Sequence, residues 1–361
     1  MRLFLLIIGL LLMSLSANAQ EKLKIRVCAK IILNPVDGSW PTATFESSID
    51  NGIAFMNERM NHYRRPIEFI KEPTVTIGGV NTAISNTYYP GDTSNNNSNG
   101  PRFRQDLQDD ARNNPIAYGW REDCINYYLN DGIAGGCSFP DNGSQIILIG
   151  STNSNVDITY LHEIGHFFSL YHTHQGAASQ CGGAPGNDDE IAETLPDRPN
   201  TSPDGNGDNQ PCWNHIDSVA QHSYNQDYDQ LSGVPAWLVE NTFFNIMSYH
   251  STVRSELTDT QLDRWMKTIV DFNTRQAVVS GTPYFVDDDD NTPCNLSGAS
   301  PCGCEGNAYV PFEKVDCALD LVDPNGGDVI VIKSGTFDVG PDVISQPVLI
   351  TASRNGDAIL K

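Results

Sequence analysis

Apolar residues alternate loosely from Lys22 to Leu33, a stretch rich in Ile and Val that predicts a first strand. Ile49, Ile53, Met56 and Met60 then recur at helical spacing and predict an amphipathic helix, which Pro66 follows. Ile67 to Ile70 predicts a second strand, and the Asn-, Ser-, Thr- and Gly-rich run 81–101 predicts an exposed loop. Two further strands are expected at Cys124 to Leu129 and Gln145 to Gly150. From Ile158 a helix carries Leu161, Ile164 and Phe168 toward a core. Residues 175–235 are polar and rich in Gly, Asp, Asn and Pro, a connection long enough to need a function or a tether. A last helix starts at Thr258, where Thr258 and Gln261 have the capping-box spacing and Leu262, Trp265, Met266 and Ile269 form its buried stripe.

Near residue 284 the pattern changes. Asp287 to Asp290 is a run of four carboxylates, and Cys294, Cys302, Cys304 and Cys317 follow it. Two strand–turn units, Asp328 to Phe337 and Gln346 to Ala352, come next.

Composition narrows the picture. At its front the chain has Arg2, an apolar run from Leu3 to Leu12 and the small-residue site Ala17-Asn18-Ala19, the form of an export signal spanning 1–19. No later run approaches the roughly 20 apolar residues of a membrane span. A secreted protein, extracellular or periplasmic, is expected. The formal net charge of −23 argues against nucleic acid as a partner, because phosphate binding needs clustered Lys and Arg. Nine cysteines in an exported chain predict that most are in disulfides, with at least one unpaired or paired intermolecularly. Cys181 with Cys212 would close the polar loop, and Cys124 with Cys137 is a second candidate pair.

Residues 162–172 carry the chemistry. They read His-Glu-Ile-Gly-His-Phe-Phe-Ser-Leu-Tyr-His. Histidines four apart share a helix face, so His162 and His166 can hold one ion, and Glu163 beside them can act as general base. His172 reaches the same ion only if the helix breaks after His166. Three imidazoles leave a fourth position open, the mark of a catalytic zinc site. His174 is an alternative donor whose spacing fits less well.

This extended motif resembles that of the metzincin metalloproteases, and Asn245-Ile246-Met247-Ser248-Tyr249 is similar to their Met-turn. The pappalysin (cytophagalysin) branch is the closer likeness, over about residues 22–280. It is carried also by Ile125-Asn126-Tyr127-Tyr128, Gly136-Cys137-Ser138-Phe139-Pro140, Asp189-Glu190-Ile191-Ala192-Glu193-Thr194 and the segment Leu257 to Met266. The resemblance implies an α/β (α+β) zincin domain over 20–284, with a twisted mixed sheet, an active-site helix and a Met-turn. It implies zinc on His162, His166 and His172, Met247 as an apolar floor and Tyr249 near the oxyanion. It also implies calcium on an acidic segment that includes Asp188, Asp189, Glu190 and Glu193. Ser169 departs from the family, which has glycine at this helix end. A positive φ there costs a non-glycine residue ~1–2 kcal/mol.

The implied activity is hydrolysis of protein or peptide substrates. The rival from another class is a non-catalytic zinc-binding adhesin or matrix module on the same fold. Residues 285–311 read as an Asp/Cys-rich linker. Residues 312–361 resemble the start of a right-handed parallel β-helix, which needs about three repeats to bury a core, so the chain reads as a fragment of a longer protein or as carrying a small β module.

Overall fold

The structure is a computed structural model. It describes residues 22–40, 45–89, 101–130, 136–137, 145–150, 156–173, 189–194, 236–248, 254–287, 306, 311–333, 335–337, 348–352 and 358–360. The chain divides into two compact units, one of residues 25–59 and 69–279, the other of 1–24, 60–68 and 280–361.

The larger unit is built on a sheet of β1 (Leu23–Leu33), β2 (Ile67–Lys71), β3 (Val75–Gly78), β4 (Ile125–Asn130), β5 (Gly136–Cys137) and β6 (Ile146–Gly150). Its order is β2-β1-β4-β6-β5, with β3 also on β1. β1, β4 and β6 run parallel, while β5 pairs antiparallel with β6 through Gly136 to Leu148 and Cys137 to Ile147. Parallel strands need both faces covered. β4 meets that need, being buried at every position.

Its two central tyrosines point to opposite faces, as a period of two requires. Tyr128 joins Ile32, Ile77, Ile146 and Leu148 in a core closed by residues of α2 (Ala83–Tyr88), α3 (Pro101–Asn113) and α4 (Pro115–Tyr118). Tyr127 faces the other way and stacks on Tyr160 of α5 (Val156–Phe167), ring centroids 5.1 Å apart. Tyr160 in turn lies on α1 (Phe45–His62) at Gly52, where an added Cβ would stand 2.8 Å from the ring. α5 is thus pressed between the sheet and a helix, the setting of a rigid site.

Two expectations need correction. The run 81–101 is not simply an exposed loop. Thr82 caps α2 by accepting from Ser85 N, and Tyr88 and Tyr89 are buried. A pair of tyrosines is enough to anchor an otherwise polar stretch. Cys124 pairs with Cys28 of β1, not with Cys137. β1 and β4 are adjacent, with Val27 opposite Ile125, so the two sulfurs meet across the ladder. The bond closes a separation of 96 residues, worth ~4–5 kcal/mol by chain entropy. Cys181 and Cys212 lie outside the described residues, and Cys317 is disulfide-bonded.

The capping box of α7 (Asp259–Asp271), which follows α6 (Ala236–Phe243), is present with both its reciprocal bonds. Leu262, Trp265, Met266 and Ile269 are all buried. After α8 (Asn273–Gln276), the second unit carries β7 (Pro283–Val286), α9 (Val315–Leu319), β8 (Val329–Ile332), β9 (Gly335–Phe337), β10 (Leu349–Ala352) and β11 (Ala358–Leu360). β7, β8 and β10 form one parallel ladder, and β9 with β11 a second. Val286, Phe312, Val315, Ile330, Ile332 and Phe337 pack its core. No helix among the described residues is long and apolar enough to cross a membrane.

Candidate metal centre

His162, Glu163 and His166 ride on α5 and are at most 5 % exposed. The helix then ends in a left-handed turn at Ser169, φ 68°. Ser169 N donates to the His166 carbonyl (3.0 Å) and Leu170 N to that of Gly165 (2.9 Å), the two bonds of a Schellman cap. This reversal brings His172 back beside the two helix-borne rings. The strain expected of a serine at this position is therefore present.

The three Nε2 atoms stand 3.2, 3.2 and 2.8 Å from one another. The contact between His162 and His166 is not a hydrogen bond. His162 Nδ1 lies 2.7 Å from the carbonyl of Ile246, and His166 Nδ1 2.7 Å from that of Leu170. A carbonyl only accepts, so both protons sit on Nδ1 and both Nε2 atoms present lone pairs. Facing lone pairs repel unless a cation lies between them. Donors ~2.0–2.1 Å from a tetrahedral zinc ion stand roughly 3.3 Å apart, close to these spacings. The donor set fits zinc, and among the described residues it is the cluster of metal-binding type. Burial, the two neighbouring imidazoles and Arg254 hold the pKa of His162 well below the usual histidine value, against the opposing pull of the Ile246 carbonyl. A neutral ring is what a ligand must be.

The Met-turn lies directly under the helix. Asn245 Oδ1 accepts from Met247 N (2.9 Å), and Ser248 N returns to the Asn245 carbonyl (3.1 Å). Met247 is fully buried. A Cβ on Gly165 would stand 2.6 Å from its sulfur, so the glycine inside the motif is what lets the turn approach. Thr173 N donates to the Met247 carbonyl (3.3 Å), tying the third histidine's segment to the same turn.

In the acidic segment, Asp189, Glu190 and Glu193 each have a protein partner. Both oxygens of the buried Asp189 accept from the hydroxyl of Thr194 (2.8 Å), and one also accepts from Ile191 N (3.0 Å). Glu190 pairs with Arg264 (3.0 Å), while Glu193 accepts from Thr260 N at the start of α7 (3.0 Å). Asp188, His174 and Tyr249 lie outside the described residues.

Sequence reasoning missed the groups that hold α5 in place. Arg275, fully buried, donates through Nε to the Phe167 carbonyl (2.6 Å) and lies 3.7 Å from that ring's centroid. Thr268 donates to the Phe168 carbonyl (3.1 Å), and Phe168 stacks on Trp265. These occupy carbonyls that a helix end leaves without intrahelical partners. Arg254 donates to the Ser248 carbonyl (3.2 Å) beneath His162. Nothing local marks Arg275 or Thr268, because the Phe167 and Phe168 carbonyls they reach are distant along the chain.

A helix-borne histidine pair, a third histidine beyond a left-handed turn and a methionine turn beneath them define the metzincin type. The family model described as pregnancy-associated plasma protein-A, of peptidase family M43, matches residues 126–271. That match supports a pappalysin-like metzincin and hence a metalloendopeptidase, a class that works with zinc on peptide substrates. Among solved structures the chain is similar to mature mirolysin of Tannerella forsythia in complex with a cleaved peptide, at 15 % identity and a TM-score of 0.39, over 71 % of this chain and 95 % of that one. No curated protein matches it.

Proposed function

We propose that this protein is an exported zinc endopeptidase in which His162, His166 and His172 hold the metal and Glu163 is the general base. One observation carries the reading. Three imidazole Nε2 atoms converge on a point, and the carboxylate one residue after the first of them is buried on the same helix.

Zinc held by His162, His166 and His172 would supply a Lewis acid for the scissile carbonyl and would make water acidic enough to give up a proton near neutral pH. Glu163 takes that proton and returns it to the leaving amine, so the enzyme ends each cycle unchanged. Met247 forms the floor, fixing His162 through the neighbouring Ile246 carbonyl, and Tyr249 is assigned to the oxyanion by resemblance. Among the described strands β6 is flanked by β4 and β5, which leaves β5 as the edge where an extended substrate pairs as an added strand. Export is supported by the apolar run at 3–12 and by bonded cysteines, which persist in oxidising compartments. We read the acidic segment as a structural strut, since Asp189, Glu190 and Glu193 each have a protein partner, in place of the calcium role implied by resemblance.

The test is zinc content together with cleavage of an unfolded protein, with and without a chelator. Glu163→Gln should retain one zinc and lose ~10²–10⁴-fold in kcat/KM. A zinc-loaded wild type that leaves every unfolded protein intact would instead favour the non-catalytic binding module.

A further inference from the structure

The third histidine stands on non-helical chain, and its position has to be fixed from outside α5. The Thr173 bond to the Met247 carbonyl supplies one tether on its far side. On its near side stands Tyr171, and over that ring, 4.6 Å from the centroid, lies the guanidinium of Arg264. The same guanidinium donates from Nη1 to the Asp189 carbonyl (3.2 Å) and pairs through Nη2 with the Glu190 carboxylate (3.0 Å). One side chain of α7 therefore holds both the segment that carries His172 and the segment 189–194.

Only arginine has the shape for this. Its planar cation can lay a face on an aromatic ring while its edges donate in two other directions, and a lysine ammonium can serve only part of that set. Arg264 is itself only 16 % exposed, whereas Glu190 is 68 % exposed, so the carboxylate is the partner that water reaches most easily. Glu190 takes a positive φ of 63°, a conformation that persists only where surrounding contacts over-determine it.

Resting on the zinc reading above, we propose that Arg264 is a positioning residue for the third ligand. It clamps Tyr171 so that His172 waits in place before metal arrives. A loop ordered in advance does not subtract its ordering entropy from binding, and groups behind metal ligands change affinity by about ten- to a hundredfold.

The experiment compares metal-free wild type with Arg264→Met, Arg264→Lys and Tyr171→Leu. Zinc affinity and zinc dissociation rate are measured against a chromophoric chelator, and thermal unfolding of each metal-free protein is followed in parallel. Arg264→Met should bind zinc about ten- to a hundredfold more weakly through faster dissociation, with metal-free unfolding shifted by only a few degrees. Arg264→Lys should recover part of that loss. Tyr171→Leu leaves the arginine in place and should weaken zinc to a similar extent, with no further loss when the two changes are combined. Wild-type zinc affinity in Arg264→Met would overturn the proposal, as would additive losses in the double variant. Should Arg264→Met fail to fold, wild-type affinity in Tyr171→Leu overturns it alone. A wild type that takes up no zinc at all would sink the peptidase reading instead.

Discussion

Two of the three histidines and the third reach the same point by different routes. His162 and His166 owe their spacing to a single turn of helix, and each ring is pinned by an Nδ1 bond to a carbonyl, that of Ile246 or of Leu170. His172 owes its place to a left-handed serine, to the Met-turn through Thr173 and to the contacts around Tyr171. The helix-borne pair is local and stiff; the loop-borne ligand is assembled from distant parts. Geometry set by one element survives small insults. Geometry set by several elements fails when any one of them moves.

The largest expected effect separates the two routes directly. His166→Ala and His172→Ala should each lower zinc affinity by roughly 10²–10³-fold, a ligand's share of the ~10–16 kcal/mol of a structural zinc site. Their metal-free proteins should differ. His166→Ala also removes the bond to the Leu170 carbonyl that braces the turn, at ~1 kcal/mol, a loss that His172→Ala does not share. Chelator competition and urea denaturation of the metal-free variants measure both. Equal losses of metal-free stability would erase the distinction between the routes.

Gly165→Ala tests the junction between them. The new Cβ would stand 2.6 Å from the sulfur of Met247, with the Leu170 side chain at 3.4 Å. Overpacking costs ~1–3 kcal/mol, while alanine in place of glycine returns up to ~1 kcal/mol of helix propensity. The clash wins if Met247 has nowhere to go. Thermal unfolding should then fall by a few degrees, and zinc should dissociate faster as the turn under His162 is pushed away. A melting point that rises would mean that the turn yields freely and does not brace the ligands.

Which parts were legible in the sequence follows the same division. The helix-borne pair was readable because four residues of helix fix two side chains regardless of context, and the capping box at Thr258 and Gln261 was readable for the same local reason. The broken helix after His166 was readable as a necessity, since His172 could not join the others without it. Arg264, Arg275 and Arg254 were invisible. Arg264 and Arg275 meet backbone carbonyls from distant parts of the chain and Arg254 lies against the distant His162 ring, a property of the fold and not of any short pattern. The Cys28–Cys124 bond was hidden likewise, because only the β1–β4 register makes those two sulfurs neighbours. The tyrosines at 88 and 89 misled in the opposite direction, their polar surroundings masking two buried anchors.

The smallest effect concerns the serine on which the loop-borne route turns. At φ 68° Ser169 carries ~1–2 kcal/mol of strain that glycine would not, and glycine gives back ~0.5–1 kcal/mol through its freer unfolded chain. Ser169→Gly should therefore stabilise the metal-free protein by about 0.5–1 kcal/mol, a rise of roughly 1–4 °C in melting temperature for a domain of this size. Zinc affinity should stay where it is, because the two cap bonds run from backbone N–H groups that the substitution preserves. Ser169→Val sets the other bound, since a β-branched residue resists a positive φ and would loosen the turn and the third ligand together. If Ser169→Gly instead weakened zinc binding, the serine hydroxyl would have a task of its own, and the turn could no longer be described as backbone geometry alone.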